Sequence, residues 1–239
     1  MKSAWIPVIA LLAACNGPDT DSDSDMTGTD DTVTLSGTIV DAATQDPIEG
    51  VEVCFDEPAD IACITTDATG AASTELPMNV NIKVRMTKAG YPTVLTHGNI
   101  EEADIIGART ALLSDTAADA ALTILGETRD TSKGYVLFAA TTDLTLQTKV
   151  EGATVTSTAT TGTQFYASAM GIPDTSLTST SAAGAGAIVN VDPGTYEITF
   201  AHTDKACVDG YGWPVSGSDG TMELFVEAGV MTFVSGYCN

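Results

Sequence analysis

Residues 33–39 read Val-Thr-Leu-Ser-Gly-Thr-Ile, which puts Val33, Leu35, Gly37 and Ile39 on one side of an extended chain and Thr34, Ser36 and Thr38 on the other. A period of two is what a strand with one buried and one wet face requires, and a helix does not sustain it. The alternation returns at Val51, Val53 and Phe55, and again at Val80, Ile82, Val84 and Met86 against Asn81, Lys83 and Arg85. Residues 61–66 predict a further short strand. Turn chemistry separates these runs: residues 41–49 (Asp-Ala-Ala-Thr-Gln-Asp-Pro-Ile-Glu) and Asp67-Ala68-Thr69-Gly70. Short strands at this spacing predict an all-β sandwich or barrel.

Four of these stretches, SGTIVD (36–41), PIEGVEVCF (47–55), TTDATGAAS (65–73) and NIKVRMTKAGYPTV (81–94), resemble the carboxypeptidase regulatory-like, or transthyretin-like, β-sandwich domain. The same layout belongs to the B-type repeats of bacterial collagen adhesins. The resemblance spans about residues 33–97 and implies a small Greek-key, prealbumin-like sandwich.

A second, degenerate copy follows. Val150-Glu151-Gly152-Ala153-Thr154-Val155 echoes Ile48-Glu49-Gly50-Val51-Glu52-Val53, and Thr180-Ser181-Ala182-Ala183-Gly184 echoes Thr66-Asp67-Ala68-Thr69-Gly70. Residues 134–138 stand where the opening strand belongs, and residues 188–198 resemble the family's strand, Pro-Gly turn and Tyr-bearing strand. This copy carries an insertion at 159–181 and a tail at 207–239. In the tail, Met222, Leu224 and Val226 turn at Glu227-Ala228-Gly229 into Val230, Thr232 and Val234, predicting a hairpin.

The expected organisation is two tandem sandwiches, 33–97 and 127–239, joined by a linker, 98–126. Within the linker Ala117, Ala118, Ala121, Leu122 and Leu125 share a helical face, Thr116 with Asp119 imitates a capping box, and Gly126 suits the stop. The adhesin resemblance would imply an isopeptide bond from a strand lysine, but neither opening strand, 33–41 or 135–141, holds a lysine. No such bond is expected.

The chain's first residues address its compartment. Lys2 precedes a ten-residue apolar run, Trp5–Ala14, too short to span a bilayer as a helix. Leu12-Ala13-Ala14-Cys15 resembles the lipobox of bacterial lipoproteins, which implies a signal peptide at 1–14, cleavage before Cys15 and acylation of its thiol. More than one acyl chain is what stable anchoring needs. The expected location is the cell envelope, with Asn16 agreeing with outer-membrane sorting and the domains in the periplasm or on the cell surface. Residues 15–32 are almost wholly Asp, Ser, Thr and Gly and predict a disordered, self-repelling acidic tether. Asp19, Asp21, Asp23 and Asp25 alternate as in a calcium loop, but its turn glycine and distal Glu are missing.

A net charge of -23 excludes nucleic acid as a partner and disfavours anionic membrane surfaces, leaving the N-terminal lipid as the membrane contact. Of five cysteines, Cys15 is reserved for lipid. Cys54, Cys63, Cys207 and Cys238 allow three pairings, of which Cys54–Cys63 and Cys207–Cys238 each fall within one domain. Zinc is disfavoured, since there is no CxxC and the histidines are His97 and His202. HExxH, GxSxG and P-loop motifs are missing, so no catalytic residue, metal or cofactor is expected.

Two non-catalytic roles remain, a structural or interaction module and a binder of an envelope protein or glycan. For the second, Tyr166, Tyr211 and Trp213 are the candidate stacking surfaces. Exposed, coplanar Tyr211 and Trp213 would favour binding, and burial the scaffold.

Overall fold

The alternation at residues 33–39 becomes β1 (Thr32–Asp41), the central strand of the first copy. It is followed by β2 (Glu52–Glu57), β3 (Ile64–Thr65), β4 (Ala71–Pro77), β5 (Val80–Thr87), β6 (Val94–Ile100) and β7 (Ile105–Leu112). A computed structural model describes residues 32–239. The expected signal peptide, Cys15 and all of the expected tether but Thr32 lie outside the described residues.

β1 pairs antiparallel with β4 and parallel with β7, and this sheet faces a second one ordered β3-β2-β5-β6. Val33, Ile39 and Leu76 from one sheet meet Val53, Phe55, Val84 and Met86 from the other. Strand β7 lies where the linker 98–126 is expected. Gly107, with φ 78°, interrupts its alternation, so its period is hidden in sequence. The first sandwich therefore extends beyond His97 to Leu112.

The helix α1 (Asp115–Leu125) is present, but its N-cap is Ser114, whose hydroxyl accepts from the Ala117 N–H, and not the Thr116–Asp119 pair. Asp119 instead pairs with Arg129 at 2.8 Å. Gly126 closes the helix in the left-handed conformation, φ 72°, as expected. Ala118 and Leu122 bury against Tyr135, Phe165 and Val189.

The second copy comprises β8 (Gly134–Thr141), β9 (Thr154–Ser157), β10 (Thr163–Ala167), β11 (Pro173–Asp174), β12 (Ala185–Val191), β13 (Gly194–Ala201), β14 (Cys207–Asp209), β15 (Trp213–Pro214), β16 (Thr221–Val226) and β17 (Met231–Cys238). It repeats the pairing of six strands of the first, β1, β2, β4, β5, β6 and β7, and adds β10, β11, β14 and β15. β8 pairs antiparallel with β12 and parallel with β17, while β13 lies between β9 and β16 as β5 lies between β2 and β6. The repeat reaches single hydrogen bonds. The buried Thr66 hydroxyl donates to the Ile48 carbonyl (2.7 Å) and accepts from Val51 N–H (2.9 Å); Thr180 does the same with Val150 (2.7 Å) and Ala153 (2.9 Å). Gly70 and Gly184 end the two turns at φ 72° and 60°.

The tail hairpin does not form. The turn at Glu227 is there, but β16 stays in the sheet β15-β16-β13-β9 while β17 crosses to another sheet and lies parallel between β8 and β6. Met231 to Gly236 are all buried, as a central strand covered on both faces demands. β17 thereby joins the sheets of both copies edge to edge, in the order β11-β10-β12-β8-β17-β6-β5-β2-β3. Alternate residues of β17 feed two clusters: Met231 and Phe233 the one that joins the first core to α1 and the face of β8, β10 and β12 beneath it, Val234 and Cys238 the core of the second sandwich.

Cys54 bonds to Cys63 and Cys207 to Cys238, the expected pairing. The second bridge ties β14 to β17, with the two cysteines directly opposed. On the loop-entropy account it closes 31 residues and is expected to contribute about 3–4 kcal/mol, the first, over 9 residues, about 2–3 kcal/mol. Urea unfolding of the two Cys→Ser pairs measures this; an equal or reversed order would contradict it.

Candidate functional site

No two of the three aromatic candidates stack on each other, and none is fully exposed: Tyr166 is buried, Tyr211 and Trp213 partly so. Tyr166 is 4 % exposed, edge-on to Phe138, with its hydroxyl between the N–H and carbonyl of Val155. Tyr211 packs on Phe233 and donates to the Arg109 carbonyl at 3.3 Å; burial pushes its hydroxyl up to about 12. Trp213 is half-buried, and its indole N–H donates to the Ile82 carbonyl at 2.8 Å. All three positions hold the core or a junction, the commoner fate of aromatics at a sandwich end.

Trp213 and Phe225 from the second copy enclose His97 of β6, with ring centroids 5.4 and 5.3 Å away. Neither His97 nitrogen has a hydrogen-bond partner, and burial, then the nearby Lys83 charge, brings its pKa down to about 4. The ring is therefore neutral at neutral pH and packs between the two aromatic rings. His202 lies elsewhere, its Nε2 3.0 Å from the Glu151 carbonyl.

Beside His97 runs an electrostatic clasp between the copies. Glu227, in the turn before β17, receives Lys83 at 2.8 Å and Arg85 at 2.9 Å, and Arg85 also holds Asp56 at 2.6 Å. Burial opposes the Glu227 charge, but the bonds from Lys83 and Arg85 prevail and keep its carboxyl below the ordinary value. Arg85 grips Asp56 through both Nε and a terminal nitrogen and shares Glu227 with Lys83, and a bidentate, networked arrangement is the kind in which ion pairs contribute more than isolated surface pairs.

The first sandwich also encloses a cavity of about 420 Å³ between its sheets. Leu35, Ile39, Val53, Phe55, Val84 and Met86 supply much of its wall, so it is mainly apolar. Glu101 and Asp104, in the exposed β6–β7 loop, stand at its rim. Its size is that of a small-molecule pocket, larger than an ordinary packing defect. Sequence reading missed it because a cavity is defined by which small residues fall in one cross-strand row, and that depends on register. No group of three or more His, Cys, Asp or Glu side chains that could hold a metal occurs among the described residues.

The described chain is thus a two-copy β-sandwich fused through one sheet. No family model matches the chain, and no curated protein does. Similar solved structures include the TIE protein of Bacillus anthracis, at 14% identity and TM-score 0.29, covering 87% of this chain and 34% of that one. A Streptococcal ancillary pilin is similar at 13% identity and TM-score 0.29, covering 87% and 62%. GBS52, the minor pilin of Streptococcus agalactiae, is similar at 12% identity and TM-score 0.29, covering 85% and 94%. The chain spans about a third of the first of these and under two thirds of the second.

Proposed function

We propose that this chain is a lipid-anchored cell-envelope protein with a non-catalytic structural and interaction role. The observation that carries the reading is the position of β17, hydrogen-bonded to both copies and buried on both faces, which makes one stiff body of two sandwiches. A body built to hold shape suits display or spacing at a surface. The burial of Tyr166, and the hydrogen bonds that tie the partly buried Tyr211 and Trp213 to the Arg109 and Ile82 carbonyls, support this role over glycan or protein capture by loop aromatics. Anchorage comes from acyl chains on Cys15, and the acidic stretch 15–32 spaces the body from the membrane by charge repulsion. No helix among the described residues is long and apolar enough to cross a membrane.

The test is fractionation of the native host. The unaltered protein is expected in the membrane fraction, and Cys15→Ser is expected to appear as released or unprocessed chain. A Ser variant that stays membrane-bound and is cut at the same place would refute the anchor. Reproducible turnover of any substrate would refute the non-catalytic role.

A further inference from the structure

The two copies share a frame but not a filling. In the second, the cross-strand row Gly186–Phe138–Val234 puts a phenyl ring at the middle of the sandwich, where it meets Phe200 and Tyr166. The matching row of the first copy is Ala72–Gly37–Ala108. The match is fixed by equivalent bonds two residues along: Ile39 N–H to the Gly70 carbonyl in one copy, Ala140 N–H to the Gly184 carbonyl in the other. Where one core has Phe138, the other has no side chain at all.

Nor is a larger residue accommodated at that point. A Cβ on Gly37 would lie 2.6 Å from the carbonyl oxygen of Ala108, so the close approach of β7 keeps the position bare. Three small residues in one row, facing Val53, Phe55 and Met86, leave the 420 Å³ cavity. It is a consequence of strand register and not of loose packing around it, since Val53, Phe55, Val84 and Met86 are all buried.

We propose that the first sandwich is a binding site for a small amphiphile, whose apolar body lies between the sheets and whose uncharged or cationic head rests at the rim. The apolar wall selects the body. The head is selected by charge: Glu101 and Asp104 at the rim are both acidic, on a chain of net charge -23, so an anionic head is repelled. This site does not depend on the scaffold reading, and either can fail without the other.

The experiment uses the full chain carrying Cys15→Ser, because acyl chains on Cys15 would themselves take up an apolar probe. Titration with the neutral fluorophore N-phenylnaphthylamine is expected to show saturable binding at one site. Dodecylamine and dodecanol are expected to displace it at concentrations at least about tenfold below dodecanoate, which matches them in chain length but not in charge. Ala72→Leu and Ala108→Leu project a side chain into the cavity, and each is expected to weaken probe binding by at least about tenfold while the thermal midpoint holds or rises. If one of them does not fold, the other and the competition series decide. No saturable binding, unchanged affinity in a folded filled variant, or equal competition by dodecanoate would each overturn the proposal.

Discussion

Ending the chain after Gly229, which removes β17, is expected to abolish the second sandwich and to weaken the first one as well. Within the second copy β17 closes the sheet beside β8 and brings Val234 and Cys238, both fully buried, to the core. Within the first it covers the edge of β6 through Met231↔Val94, Thr232↔Leu95 and Phe233↔Thr96. Met231 and Phe233 also pack in the cluster that runs from the first core to α1, and a buried side chain of that size contributes about 1.5–3 kcal/mol. Losing two of them removes a large share of a total stability of about 5–15 kcal/mol. Hydrogen exchange reads the outcome: amides of β1, β2, β5 and β6 are expected to lose protection in the truncated chain. If those amides keep full-length protection, the copies are independent and the single stiff body is wrong.

Phe138→Ala is the point change expected to cost most, about 3–5 kcal/mol. Phe138 is 1 % exposed and lies edge-on to both Tyr166 and Phe200, so truncation empties the middle of the second core and leaves two aromatic neighbours without their contact. Relaxation is limited because Gly186 beside it has no side chain to move in, and a Cβ there would sit 2.4 Å from the ring. The alanine variant would leave Val234 as the one large side chain in the cross-strand row that position 138 shares with Gly186 and Val234. Urea unfolding at fixed pH measures the loss; a change below about 1 kcal/mol would mean that the ring is not the central support its burial indicates.

Much of the fold was legible because its instructions are local. The period-two pattern from Val33 and the turn at Asp67–Gly70 specify strand and turn through neighbouring residues. The repeat was readable for the same reason: Thr66 and Thr180 make bonds within their own motif, so the motif survives divergence. What sequence could not give was partnership between distant strands. Val230, Thr232 and Val234 after a Gly-bearing turn read as a hairpin, but Met231 and Phe233 between them are apolar too. A run apolar on both faces belongs to a central strand, and the turn passes it into another sheet. The aromatic candidates failed for a related reason, since Trp213 is spent on the Ile82 carbonyl 131 positions away. The cavity was beyond reach in principle, for Gly37, Ala72 and Ala108 become one row only once β1, β4 and β7 are in register.

The placement of β17 also sets a timetable. Residues 94–96 wait for residues 231–233, so the first sandwich, although its own strands are all delivered by Leu112, acquires its last edge only when almost the whole chain has arrived. Pairings that span so much sequence form slowly, because a long loop must close before any contact rewards it. Until then β6 offers an unpaired parallel edge to any other extended chain nearby, the template from which strand-exchanged dimers grow. Whatever attends this chain before it is complete has that edge to shield.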